Sequence, residues 1–136
     1  MGPASPTCSC TSRRARSRSV GPVPVAHPRL VRVGQVTEDK VPDLVAAMDV
    51  GLAPYASDAP PWFCPLKVLA YRAQGTPVVA TNVGDCLMLV GDAGTVVDGA
   101  LDALIDATRA WRGRRCSPYV RGWDAVVREA VAPVLL

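Results

Sequence analysis

Apolar positions in this chain fall into short runs separated by stretches with helical spacing, but only after the first thirty or so residues. Met1 to Pro28 mixes Ser, Arg, Pro and Gly without any apolar period. Such a segment cannot offset its ordering entropy by burial, so residues 1–28 are expected to form a disordered basic leader. At Arg29 the composition changes abruptly, as if a foreign leader had been joined to the interior of a longer protein. From there the pattern predicts a strand over Leu30 to Val33, a helix over Val41 to Met48 and a strand over Val50 to Ala53 closed by Pro54. A helix follows from Leu66 to Gln74, ended by Gly75, then strands over Pro77 to Ala80 and Thr95 to Val97. Two amphipathic helices close the chain. The first, about Ala100 to Arg112, aligns Leu101, Leu104, Ile105 and Thr108, and the second, about Val120 to Val131, aligns Trp123, Val126, Val127 and Ala130. Strands separated by single helices run parallel, with right-handed crossovers. The predicted fold is therefore α/β: a single Rossmann-like domain over residues 29–136, with flanking helices on a mostly parallel sheet of about four strands. Ligands of such sheets sit at the carboxyl ends of the strands, which singles out the loops after Val33, Ala53, Ala80 and Val97.

Composition supports this reading. Hydrophobic residues make up 49% of the 136 and aromatics only 5%, so aliphatic side chains must fill the core, as in buried parallel strands. The net charge of +3 suggests a polyanion partner until it is located. Met1–Thr37 holds six arginines and no acid, which leaves Glu38–Leu136 at −3. With no aromatic residue before Tyr55 the basic arm lacks a stacking platform, and nucleic acid is not an expected partner. Cys8, Cys10, Cys64, Cys86 and Cys116 are scattered, and His27 is the single histidine, which fits neither a disulfide framework nor a zinc site. No metal or other cofactor is expected. No run approaches the roughly 20 apolar residues of a membrane span, and Pro and Gly interrupt the segment after the first arginines, unlike a secretion signal. A cytoplasmic chain is expected, with the inner membrane face as the alternative that the basic arm allows.

The stretch from Asp58 to Asp85 carries most of the candidate chemistry. A Pro-rich loop leads into Pro65-Leu66-Lys67, where the first turn of a helix presents unpaired amides and the positive end of its dipole. That end favours a phosphate. Lys67 opposes the dipole there, a conflict that an anion beside it would relieve; a solvated lysine at a helix start is the plainer reading. After the next strand, Asn82-Val83-Gly84-Asp85 is either a simple polar turn or a place where Gly84 lets the backbone approach a sugar or phosphate.

Taken in order, these segments resemble the group 1 glycosyltransferases of the GT-B fold (glycosyltransferase family 4-like), which transfer a sugar from a nucleotide diphosphate to an acceptor. Gly34-Gln35-Val36 matches a Gly-x-Val that lies near the nucleotide base in the family. Asp49 to Tyr55 matches an Asp-Val strand ending in Pro, and Pro65 to Ala80 matches the diphosphate helix with its closing Gly-x-Pro-Val-Val-Ala strand. Gly94 to Val97 and the Trp-containing last helix at Trp123 follow in the expected sequence. The resemblance implies the nucleotide-sugar-binding half of the fold. A nucleotide-diphosphate sugar would then be held by Gly34, Val36, Tyr55, Pro65, Leu66, Lys67 and Gly84. It implies no bound metal, and no catalytic residue can be named.

Many relatives carry two glutamates eight positions apart around this helix, the second gripping the ribose hydroxyls. Trp62 and Ala70 occupy those positions. Losing such a carboxylate typically forfeits roughly 1.5 to 3 kcal/mol. The acceptor-binding half would precede Arg29, and the leader cannot form it. The chain is thus expected to be a truncated donor domain, inactive alone, or to work with a separate chain that supplies the acceptor domain. The alternative is a non-catalytic Rossmann-like interaction or nucleotide-binding module. A mononucleotide-fold enzyme of another class would need a Gly-x-Gly-x-x-Gly loop, and the sequence has none.

Overall fold

The computed structural model describes residues 17–20, 24–60 and 62–134. The chain divides into two compact units, Met1–Thr37 and Glu38–Leu136. In the first, β1 (Ser17–Val20) pairs in parallel with β2 (Leu30–Gly34), Ser17 opposite Leu30. The strand at Ser17–Val20 departs from the leader expected over residues 1–28; the other leader residues before Pro24 lie outside the described ones. Strand β1 has no apolar period to announce it, because its hydrogen bonds come from β2 and not from local sequence. That pairing also puts β2 in the first unit, which ends at Thr37.

The second unit is an α/β layer around a parallel three-stranded sheet. A short 3₁₀ turn (Glu38–Lys40) leads into α1 (Val41–Ala46), followed by β3 (Gly51–Ala53), α2 (Leu66–Ala73), β4 (Val78–Thr81), α3 (Cys86–Val90), β5 (Gly94–Val97), α4 (Leu101–Trp111) and α5 (Trp123–Val131). The sheet order is β3-β4-β5, with Gly51 opposite Val78 and Val78 opposite Gly94. Central β4 is buried along its whole length, which explains why Val-Val-Ala-Thr is continuously apolar up to its last residue. Val68 of α2, Cys86 and Val90 of α3, and Ala53, Val78 and Ala80 of the strands form the core, with Tyr71 and Leu89 packed against it. Buried Thr76 ties the turn before β4 to α1 by donating its hydroxyl to the Val45 carbonyl at 2.8 Å.

The four predicted strands correspond to β2 through β5, but they lie in two sheets. Helix α3 is an element that the pattern does not announce. Cys86-Leu87-Met88-Leu89-Val90 reads as a plain apolar run, and it becomes helical by burying Cys86 and Val90, one turn apart, while Leu87 and Met88 face outward. The two last helices also differ from expectation. In α4 the packed side is Ala103, Leu104, Ala107, Thr108 and Trp111, with Leu101 and Ile105 exposed. The Trp111 indole N–H, donated to the Thr95 hydroxyl at 2.8 Å, pulls the helix into that rotation. In α5 only Ala125 and Val126 are half-buried, and Trp123 is 82% exposed.

Candidate functional site

The carboxyl ends of β3 and β4 are joined by one side chain. Thr81, the last residue of β4 and 5% exposed, accepts the Tyr55 N–H at its hydroxyl (2.8 Å) and donates that hydroxyl to the Tyr55 carbonyl (2.9 Å). Tyr55 is thereby held two residues beyond the end of β3. Its ring meets the Phe63 ring edge-on, with centroids 4.7 Å apart and planes at 68°. On the same ring sits the Lys67 ammonium, 4.7 Å from the centroid. An ammonium over an aromatic face is attracted by the ring quadrupole, so Tyr55 gives this exposed lysine a preferred place beside the start of α2. Among the described residues no carboxylate forms a salt bridge with Lys67.

Pro65 is fully buried and serves as the N-cap of α2 (φ −81°, ψ 76°), so the helix proper begins at Leu66, whose side chain is exposed. No side chain caps this end. Two amides are nonetheless engaged within the turn: Leu66 N–H donates to the Cys64 carbonyl at 3.0 Å and Val68 N–H to the Pro65 carbonyl at 2.9 Å. The cationic character of the site therefore rests on Lys67 and the helix dipole more than on a full set of free amides.

Gly84 follows β4 with φ +51°, and a Cβ added there would fall on the Phe63 carbonyl oxygen. Its glycine thus allows the loop before α2 to close on the loop after β4, a contact that Asp85 N–H, 3.4 Å from the same carbonyl, continues. The second unit in this way gathers Tyr55, Pro65, Leu66, Lys67 and Gly84 at one end of its sheet. Gly34, which ends β2 with φ +80°, and half-buried Val36 belong to the first unit. Phe63 and Thr81 are members of the cluster that sequence reasoning missed. The lone Phe in a 5% aromatic chain was an available signal for the first, whereas Thr81 had none, since a Thr closing a buried strand reads as ordinary β-branched core.

Burial pushes the Tyr55 phenol up to about 12, with Cys86, Tyr71 and Cys64 adding in the same direction. Burial likewise raises the Cys86 thiol, against a smaller opposing pull that includes Lys67. Tyr55 is therefore a neutral aromatic platform at physiological pH. An unfolded Tyr ionises near 10, so the contribution of Tyr55 to stability is complete below pH 10 and is lost as pH rises from 10 towards 12. We expect denaturant midpoints to fall over that window less steeply in Tyr55→Phe than in the wild type. Identical slopes would show that Tyr55 titrates as an ordinary exposed tyrosine.

A separate cavity of about 390 Å³ is lined by Arg72, Asp92, Trp111, Arg115, Cys116 and Tyr119. It adjoins the carboxyl end of α2 and the residue before β5, the opposite end of the strands from Lys67, and contains none of the predicted residues. Arg72 is committed to structure there, donating to the Leu89 carbonyl at 3.0 Å and lying 4.4 Å over the Tyr119 ring. Cys64, Cys86 and Cys116 are free thiols, while Cys8 and Cys10 lie outside the described residues. Among the described residues no helix is long and apolar enough to cross a membrane, and no three His, Cys, Asp or Glu side chains gather as metal ligands.

Comparison with known proteins adds two findings. A family model described as glycosyl transferases group 1 matches residues 12–111. The crystal structure of AviGT4, a glycosyltransferase involved in avilamycin A biosynthesis, is similar over 86% of this chain, with 25% sequence identity and a TM-score of 0.55. The chain spans 38% of the length of that protein. No curated protein matches.

Proposed function

Because the chain belongs to the group 1 glycosyltransferases, we propose that its second unit binds the diphosphate of a nucleotide-sugar donor at the carboxyl end of the β3-β4-β5 sheet. The observation that carries this reading is Lys67: a cation in the first turn of α2, seated on the Tyr55 ring, with no salt-bridge partner among the described residues. A diphosphate would supply the missing negative charge and sit at the positive end of the helix dipole. Pro65 and Leu66 shape that turn, and Gly84 lets the loop after β4 pass close enough to line a sugar pocket.

Binding should be weak. Ala70 is exposed on α2 one turn beyond Lys67 and offers no carboxylate to the ribose hydroxyls. Nor does the second unit supply an oriented acceptor, and glycosyl transfer needs both substrates held in a closed, water-excluding cleft. We therefore propose that the second unit by itself binds donor without turnover, with the acceptor wall furnished by another domain.

The test is a titration of the purified chain with UDP, GDP, ADP and their sugar conjugates, following backbone amide shifts. Shifts concentrated at Lys67 and Gly84 are expected, and the nucleoside producing them identifies the base. An absence of shifts at millimolar ligand, that is, affinity weaker than about −4 kcal/mol, would remove the donor-binding reading. The interaction module would then stand in its place, with exposed Trp62 at its surface.

A further inference from the structure

We infer that Thr81 is a positioning residue for this anion site, acting through Tyr55 on Lys67. The inference rests on the proposed diphosphate reading for its function, but its geometry stands independently. Tyr55 lies in a loop that begins as β3 ends, and nothing in the local sequence would fix its ring. Among the described residues, the side-chain hydrogen bonds to the Tyr55 backbone come from Thr81 alone, one accepting its N–H at 2.8 Å and one donating to its carbonyl at 2.9 Å. The Tyr55 N–H has a second, longer contact to the Ala53 carbonyl at 3.2 Å, which by itself leaves the carbonyl unheld. Because Thr81 is the buried last residue of the central strand, the two bonds transmit the position of that strand to the Tyr55 backbone. The Tyr55 ring in turn carries the Lys67 ammonium at 4.7 Å and packs on Phe63, whose carbonyl abuts Gly84. One hydroxyl thus couples both loops of the site to the sheet. A buried valine in its place would preserve volume and β-propensity while leaving the Tyr55 carbonyl without its partner and the N–H with only the longer Ala53 contact.

The experiment compares wild type, Thr81→Val and Thr81→Ser, each checked for folding by far-UV circular dichroism. In the ligand-free protein, Lys67 ε-methylene protons over the Tyr55 ring should resonate upfield of an exposed lysine. Thr81→Val should return them towards the exposed value, and Thr81→Ser, which keeps the hydroxyl, should retain the wild-type shift. A merely structural role would lower stability without moving that resonance. If Thr81→Val leaves the Lys67 shift at its wild-type value, the positioning role is overturned whatever the chain binds. In diphosphate titrations we expect Thr81→Val to weaken binding about tenfold, the size of one net hydrogen bond, with Thr81→Ser near wild type. Equal affinity of Thr81→Val and wild type would sever the residue from ligand binding. Failure of the wild type itself to bind would sink the diphosphate reading, while the ligand-free resonance still decides the role of Thr81.

Discussion

Gly94→Ala is expected to destabilise the second unit by about 3 kcal/mol or more, at the upper end of overpacking costs. Gly94 opens β5 directly opposite Val78 in the central strand. A Cβ built on it falls on the Val78 carbonyl oxygen and comes within 2.7 Å of the Val78 carbonyl carbon and 3.0 Å of its nitrogen. These are backbone atoms of a fully buried strand, and the Val78 N–H is already bonded at 2.9 Å to the carbonyl of Ala93, the residue just before Gly94. No flexible side chain can yield, so the added methyl must push β4 and β5 apart. At about 4–8 °C per kcal/mol for a unit of this size, the melting temperature should drop well beyond 10 °C. Thermal unfolding followed by circular dichroism checks it. A melting temperature equal to wild type would mean that the two strands sit further apart than the structure has them.

The second large effect concerns ligand affinity. Lys67→Ala should weaken nucleoside diphosphate binding about tenfold to a hundredfold, the value of a charge-assisted hydrogen bond of roughly 1.5–3 kcal/mol. Lys67 is exposed, so its loss should leave folding stability close to wild type. Lys40→Ala is the control: it removes the same charge from a lysine in the 3₁₀ turn that pairs with Asp39 at 3.6 Å, and it should leave affinity unchanged. Wild-type affinity should also fall with added salt, because the partners are opposite charges at an exposed site. Equal binding by Lys67→Ala and wild type would place the phosphates elsewhere on the unit without touching the fold.

Helix α2 and strand β4 were legible in the sequence because their signals are local. Pro65 and Gly75 bracket an amphipathic segment, and the uninterrupted Val78-Val79-Ala80 run marks a strand covered on both faces. The candidate site was partly legible for the same reason, since a lysine in the first turn of a Pro-led helix is visible without coordinates. Strand β1 and helix α3 were not, because neither has a period or a capping side chain of its own. One exists by pairing with β2, the other by inserting Cys86 and Val90 into the core. The closing helices show the limit of periodicity: α4 and α5 do have apolar stripes, but which side is covered depends on contacts such as Trp111 to Thr95.

By itself, then, the sequence determined the alternation of strands and helices, the parallel α/β class, the family and the helix start now proposed as the anion site. Each of these is written in hydrophobic spacing, in Pro and Gly punctuation, or in motifs a few residues long. Only the tertiary structure decided that Thr81 grips Tyr55 from 26 positions away, that the Tyr55 ring carries Lys67, and that Gly84 is required by the Phe63 carbonyl. Those contacts join residues from different loops, and loops meet only after the sheet has set the ends of its strands side by side.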